Sequence, residues 1–523
     1  MSNHKNKMLS PNINIVLKGL GSYKEGGIYA SNNEPMVSVN NLTGKVGTLY
    51  EKMRYLVDYK EEHSIRRNAI ERILKRNILM EDNSEIGLSL LRELVSSGYL
   101  PDKSVPESVA GKIQLIANKY LILGIACGIE KKRVVSLMAS EIERFLFPQL
   151  INDLVLDWFY STISVGINYS EKIPVEELNI QTYIACRHSF LQDDRETLLY
   201  AVLIKNLPEL PKIIDETEIK NIALRFSEIL TASEKDIKDP LAWKISSKLK
   251  NYSVYFSVLK EIVEKYGLVS ESLFNDKARL AEEIKKILED KYKRHGDIIS
   301  KSGTRAIEYI LLTKIGLAFL LELPYEKIFL ASVDYFALGV NVIFHPLLLF
   351  LMVKTIRPPS LGNTSLIVSG INSIVENEDI KTIHIKSSSD GIFMQIVFGL
   401  LYFALCTISF GLIFGILKTL NFSIISMFLF LLFLTLVSYF GFRIRHNARK
   451  WIIYIEDDRI LTLLWNFFTF PIINVGRWLS RKFSSINIFV FALDIILETP
   501  FKLILSTFDS FIYFLKEKGE DSY

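Results

Sequence analysis

The sequence predicts an all-α protein in three parts: a helical cytosolic domain, a polytopic α-helical membrane region and an amphipathic C-terminal helix. Three observations carry this. Mean hydropathy is +0.23 although 23% of the 523 residues are charged, so the apolar residues must be concentrated rather than spread through one soluble fold. Between residues 43 and 304 apolar side chains recur at three- and four-residue steps, the period of a helix face. From Gly391 to Phe442 the one charged residue is Lys418. Such a chain is neither disordered nor collagen-like nor a disulfide-stapled miniature.

Taken in order, residues 1–42 mix Asn, Ser, Gly and Pro and are expected to form a flexible lead-in. They hold no apolar run of signal-peptide length, so the chain ahead of the first span is expected to stay in the cytosol. Residues 43–304 form the helical cytosolic domain. Leu49, Met53, Leu56 and Val57, then Ile70, Ile73 and Leu74, mark helix faces, and Pro101, Pro106, Pro174, Pro208, Pro211 and Pro240 fall between such segments.

The stretches Ile392–Leu417 and Thr419–Phe442 are uncharged. Each is longer than the ~20 residues that a bilayer's hydrocarbon needs. A helix satisfies its backbone internally in lipid, so a transmembrane hairpin over 392–442 follows. Ahead of it, 305–355 reads as a first hairpin. Its second arm, Tyr335–Val353, contains Asn341 and His345-Pro346, and its first arm, Arg305–Leu323, contains Glu308 and Lys314. Two spans or four therefore remain open. The connector 356–391 starts at Arg357-Pro358-Pro359 and holds a short amphipathic helix with Leu366, Ile367, Ile371, Ile374 and Val375.

Orientation comes from basic residues. Arg443, Arg445, Arg449 and Lys450 follow the last span, whereas the turn between the arms has only Lys418. Positive residues stay cytoplasmic, so both termini are expected there, an even number of spans is required, and three are rejected. The tail, 443–523, is expected to be interfacial or cytosolic. Trp451, Trp465 and Trp478 suit the headgroup zone. In Ile486–Leu515 the charges Asp494, Glu498, Lys502 and Asp509, with Lys516 beyond, fall within an arc of about 80° at 100° per residue. A helix apolar over most of its circumference belongs at the interface or against the protein's own spans.

Chemistry is sparse. No zinc-binding cysteine spacing, phosphate loop, nucleophile elbow or dinucleotide fingerprint occurs, and no cofactor, metal or catalytic residue is indicated. Cys127, Cys186 and Cys406 are scattered, as for reduced thiols. Asp193-Asp194 is expected to cap a helix on a solvated turn. The basic run Ser64–Arg76 is expected to be a solvated face, because Glu61, Glu62 and Glu71 offset it. A net charge of +4 gives no case for nucleic acid. Gly411 and Gly415, one turn apart, permit close helix approach in lipid.

Two stretches, IQTYIACRHSFLQDDRETLLYAVLIKNLPE at 180–209 and GRWLSRKFSSINIFVFALDIILETPFKLIL at 476–505, resemble a family of uncharacterised bacterial multi-pass membrane proteins. The resemblance covers most of the chain from about residue 45. It implies a bacterial cytoplasmic membrane and brings no activity with it. The sequence thus favours a membrane-anchored scaffold or interaction protein, with the bilayer and a protein partner or a second copy as its contacts. The alternative is a subunit of an oligomeric transporter or channel, with Glu308, Lys314, Asn341 and His345 lining its path. A membrane enzyme has no motif in its favour.

Overall fold

A computed structural model describes residues 10–22, 34–38, 61–79, 85–170, 173–330, 333–356, 358–378, 382–385, 392–453 and 460–485. The protein is all-α. The described residues of Met1–Lys277 and Ile371–Ser387 form one compact unit, and those of Ala278–Gly370 and Ser388–Pro500 form another. The expected domain limit at 304 thus falls inside a 41-residue helix, Lys277–Leu317.

In chain order the helices are α1 (Pro11–Ser22), α2 (Glu62–Leu79), α3 (Ile86–Ser96), α4 (Ser108–Cys127), α5 (Lys131–Leu146), α6 (Leu150–Ser164), α7 (Val175–Cys186) and α8 (Arg195–Asn206). They continue as α9 (Glu216–Lys238), α10 (Pro240–Lys248), α11 (Lys250–Tyr266), α12 (Ser270–Asn275), α13 (Lys277–Leu317), α14 (Tyr335–Lys354) and α15 (Leu361–Val375). The last three are α16 (Ile392–Thr419), α17 (Ile424–Ala448) and α18 (Ile460–Ser485). Two three-residue strands, β1 (Ile167–Tyr169) and β2 (Ile383–Ile385), pair in parallel within the first unit. Local chemistry sets several boundaries. The side chains of Asp194, Asp215 and Asp239 accept from the backbone N–H of Thr197, Thr217 and Leu241, and Pro240 occupies the first position of α10. Gly128, at φ 62°, closes α4 in the left-handed region that a side chain disfavours.

The first unit has its own core. Ile70, Leu90, Ile113, Met138, Leu203 and Phe226 are wholly buried in one cluster drawn from α2, α3, α4, α5, α8 and α9. Trp158 meets the edges of Phe256 at 5.4 Å and Phe274 at 6.4 Å. The lead-in expectation needs correction at α1. Ile13, Val16 and Leu17 bury one face of it, and Gly19 packs against Leu154. Their i, i+3, i+4 spacing is a helix signal that the Asn- and Gly-rich surroundings masked.

Among the described residues four helices are long and apolar enough to cross a membrane: Ser108–Cys127, Tyr335–Lys354, Phe393–Thr419 and Ile424–Ala448. The first is α4, which places Val109, Ile113, Ala117, Tyr120 and Leu123 in the core of the first unit. The other three belong to the second unit. Only 11% of the apolar window of α16 is buried, leaving Phe393, Leu400 and Phe403 largely exposed. A long helix with so much outward apolar surface requires a non-aqueous neighbour. The molecule is accordingly a membrane-associated helical protein.

In the second unit α14 and α17 pack along each other, with Leu349, Val437 and Ile444 buried together, and Gly441 lets Met352 approach. Turn residues Leu417 and Phe422 join Met427, Phe430 and Leu434 in a second cluster, capped by Ser423 on Ser426 N. Ile472 of α18 enters this cluster, Ser409 of α16 donates to the Phe468 carbonyl at 3.1 Å, and a side chain at Gly476 would run into the Thr435 carbonyl. So α18 packs on the middle of both hairpin helices, a placement that an interfacial tail does not include.

Candidate functional site

Beyond Leu317 the α13 backbone continues through two π-wound turns, Ala318–Glu322 and Glu326–Leu330, around Leu323-Pro324-Tyr325. Pro324 contributes no N–H to the helical ladder, and widened turns accommodate the mismatch. This segment is inside out. Tyr309, Leu312, Phe319, Leu320, Ile328 and Phe329 face outward, whereas Lys314, Glu322 and Glu326 are buried. A water-soluble helix has the opposite arrangement.

The buried side chains converge. Lys314 Nζ donates to Asn341 Oδ1 at 2.8 Å, and Asn341 Nδ2 donates to both carboxylate oxygens of Glu322, at 2.9 and 2.8 Å. Ser426 Oγ reaches Glu322 Oε2 at 3.0 Å and Glu326 Oε1 at 3.4 Å. Asn341 therefore bridges an ammonium and a carboxylate, and Lys314 also lies over the Phe433 ring at 4.4 Å. His345, one turn along α14, has Nδ1 3.0 Å from the Asn341 carbonyl and Nε2 3.0 Å from that of Phe430. Both neighbours only accept, and a neutral imidazole can donate to one of them alone. Oε2 of Glu326 has no hydrogen-bond partner among the described residues. Among the described residues the centre thus holds two carboxylates and one ammonium, Lys314, with none of the three more than 3% exposed.

The sequence named Lys314, Asn341 and His345, and the fold brings them together. Glu308 is exposed and stands apart from them. Glu322, Glu326 and Ser426 were missed: Glu322 stands next to last in the first arm, Glu326 falls in the presumed turn between arms, and Ser426 reads only as a small residue in an apolar run.

The remaining named residues fall as follows. A Cβ at Gly411 or Gly415 would meet nothing within 4 Å, so neither glycine is a packing contact among the described residues. Arg443 and Arg445 lie in the last turns of α17, and Arg449 and Lys450 follow it. Trp451 is buried beneath Lys291, whose Nζ lies 4.8 Å from its ring centre, and Trp478 is exposed. The Trp465 side chain and the stripe Asp494, Glu498, Lys502, Asp509 and Lys516 lie outside the described residues. No three of His, Cys, Asp and Glu converge to hold a metal among the described residues.

The first unit has an ionic centre of its own, which corrects the solvated-turn reading of Asp193. That carboxylate is buried, 2.6 Å from Arg187 Nε and 3.1 Å from His63 Nε2. Asp194 caps α8 as expected and also pairs with Arg67 at 2.9 Å. Arg66 reaches Glu143 at 3.1 Å, and Arg76 pairs with Glu93, so much of the basic helix is internally neutralised rather than solvated. Cys186 is buried, which pushes its thiol well up, and His188 Nδ1 meets Ser246 Oγ at 2.9 Å.

Burial works against a charged His63, but the Asp193 carboxylate outweighs it, so His63 titrates above 6.5. The same cluster holds Asp193 below 3.8 against its own desolvation, chiefly through Arg187. A group raised on folding stabilises below its unfolded pKa, and the gain is lost as pH rises through the folded value. His188, lowered by burial, has the opposite sign. Stability should therefore fall, as pH rises past the ordinary histidine range of about 6.5, more steeply in the native protein than in His63→Gln. Thermal midpoints in matched buffers check this; parallel pH profiles would contradict it.

Compared with known proteins, the chain matches no family model, no curated protein and no solved structure.

Proposed function

We propose that the protein is a polytopic membrane protein that handles protons through the buried centre of its second unit, as a subunit of a transporter or channel. The observation that carries this is the charge count: among the described residues of the centre two buried carboxylates, Glu322 and Glu326, accompany one ammonium, Lys314, and Glu326 keeps an unpartnered carboxylate oxygen. Ionisable groups at membrane depth are costly and persist where they serve a pathway or relay. One carboxylate is left for a proton to neutralise, and His345, between two acceptors, provides a second proton site beside it.

In this reading four segments cross the bilayer: the inside-out continuation of α13, then α14, α16 and α17. The basic collar Arg443–Lys450 keeps both ends on the cytoplasmic side. The resemblance noted above supports a bacterial cytoplasmic membrane. Proton uptake by sealed vesicles holding the purified protein, driven by a potassium diffusion potential, tests the function. Flux above that of empty vesicles is expected, with Glu326→Gln and His345→Asn reduced to the empty-vesicle rate. Native flux equal to that of empty vesicles would overturn it.

The size and separate core of the first unit favour a second reading, a membrane-anchored scaffold. Gentle detergent extraction followed by size analysis tests it. A stoichiometric partner is expected, and a uniformly monomeric protein would count against it.

A further inference from the structure

Where α14 and α17 end together, the second unit contains a cavity of about 560 Å³. Its walls include Phe350 together with Ile299, Ile307, Val353 and Ile356, which pack against the cluster of Leu349, Val437 and Ile444. The rim is different. Lys354, the last residue of α14, is exposed there and has no carboxylate partner among the described residues. Its Nζ lies 5.6 Å from the Phe350 ring centre, at the boundary of the apolar wall. His295 shares the rim, its Nε2 2.8 Å from the Asn447 carbonyl.

The back of the site is built firmly. Trp451 forms part of the wall, and Asn363 fixes the chain there, donating to the Trp451 carbonyl at 2.9 Å and accepting from Ile453 N at 2.8 Å. Asn363 also donates to Tyr292 Oη at 3.0 Å, so two sides of the cavity are tied through one buried amide. Such a cavity, apolar within and carrying a few placed polar groups at its mouth, is the usual form of a small-molecule site.

We infer that this cavity binds an anionic phospholipid from the membrane leaflet on the basic side, acyl chain against the apolar walls and phosphate at Lys354. Two features choose this ligand. The mouth lies at the end of α14 and α17, where a span meets the headgroup layer and Trp and Lys are favoured. The same end carries Arg443, Arg445, Arg449 and Lys450, and basic residues at that depth attract an anionic leaflet. The inference rests on the membrane placement of α14 and α17 but not on proton handling.

Quenching of Trp451 by brominated lipids tests it. The protein is reconstituted in vesicles containing brominated phosphatidylglycerol or brominated phosphatidylcholine, and the Trp451 signal is the difference from Trp451→Phe. Stronger quenching by the anionic lipid is expected. Lys354→Met should abolish that preference, and Lys418→Met, in the opposite turn, should leave it intact. Ile299→Trp, which fills the cavity, should exclude the acyl chain, read as a smaller yield of phosphatidylglycerol retained on the purified protein by mass spectrometry. Equal quenching by the two lipids, or a preference that survives Lys354→Met, would overturn the inference. A Lys354-dependent preference for the anionic lipid while vesicle flux is absent would leave this site standing and remove the proton reading.

Discussion

Replacing Lys119 with Met is expected to cost about 3–5 kcal/mol of folding stability, the range for leaving one partner of a buried ion pair alone. Lys119 is the deepest cation of the first unit, 1% exposed on α4. Its Nζ meets Glu141 Oε1 at 2.5 Å and the Leu210 carbonyl at 2.8 Å. Tyr120 donates to the other oxygen of Glu141 at 2.8 Å, and burial beside that carboxylate holds the phenol well above its usual pKa. Methionine fills the volume but leaves Glu141 charged in a dry core. The double variant Lys119→Met with Glu141→Gln should recover most of the loss, because the amide oxygen still accepts from Tyr120 without a net charge. Thermal unfolding in detergent measures both. A single variant as stable as the native protein would contradict the account.

The second large effect lies in the other unit, and its two glutamates should separate. Lys314→Met removes the ammonium that Asn341 bridges to Glu322, and is expected to cost a similar amount, about 3–5 kcal/mol, the range for a broken buried pair. Glu322 accepts from both Asn341 and Ser426, so Glu322→Gln should also destabilise. Glu326 has one long contact and one unpartnered oxygen. Glu326→Gln should therefore be neutral or stabilising while proton flux is lost. Groups that strain a fold without adding stability are those retained for function. Equal destabilisation by the two glutamine variants would show that Glu326 is structural.

How far the sequence reaches can be judged from these residues. The uncharged runs that become α16 and α17 were legible because lipid imposes length and apolarity together. Lys314, Asn341 and His345 were legible as polar residues in apolar surroundings. Glu322 and Glu326 were not, because Pro324 marks a turn in sequence terms and the π-wound continuation of α13 depends on tertiary packing. Asp193 failed for a related reason: two adjacent acids look solvated until Arg187 and His63, far apart in the chain, close over one of them. Glycine spacing alone does not name the packing glycines of the second unit. The paired Gly411 and Gly415 meet no described neighbour, and the isolated Gly441 and Gly476 are where its helices come close. A motif marks a capacity for approach, and only the neighbouring helix decides which glycine uses it.

The central claim is that the continuation of α13 carries Glu322 and Glu326 into the bilayer. Single cysteines placed at Ser300, Ser332, Ser369 and Asn421, in a chain lacking Cys127, Cys186 and Cys406, test it with an impermeant thiol reagent on sealed, oriented membranes. The four-span account predicts that positions 300 and 369 label from the cytoplasmic side and positions 332 and 421 from the opposite side. Labelling of 332 from the same side as 300 would contradict it.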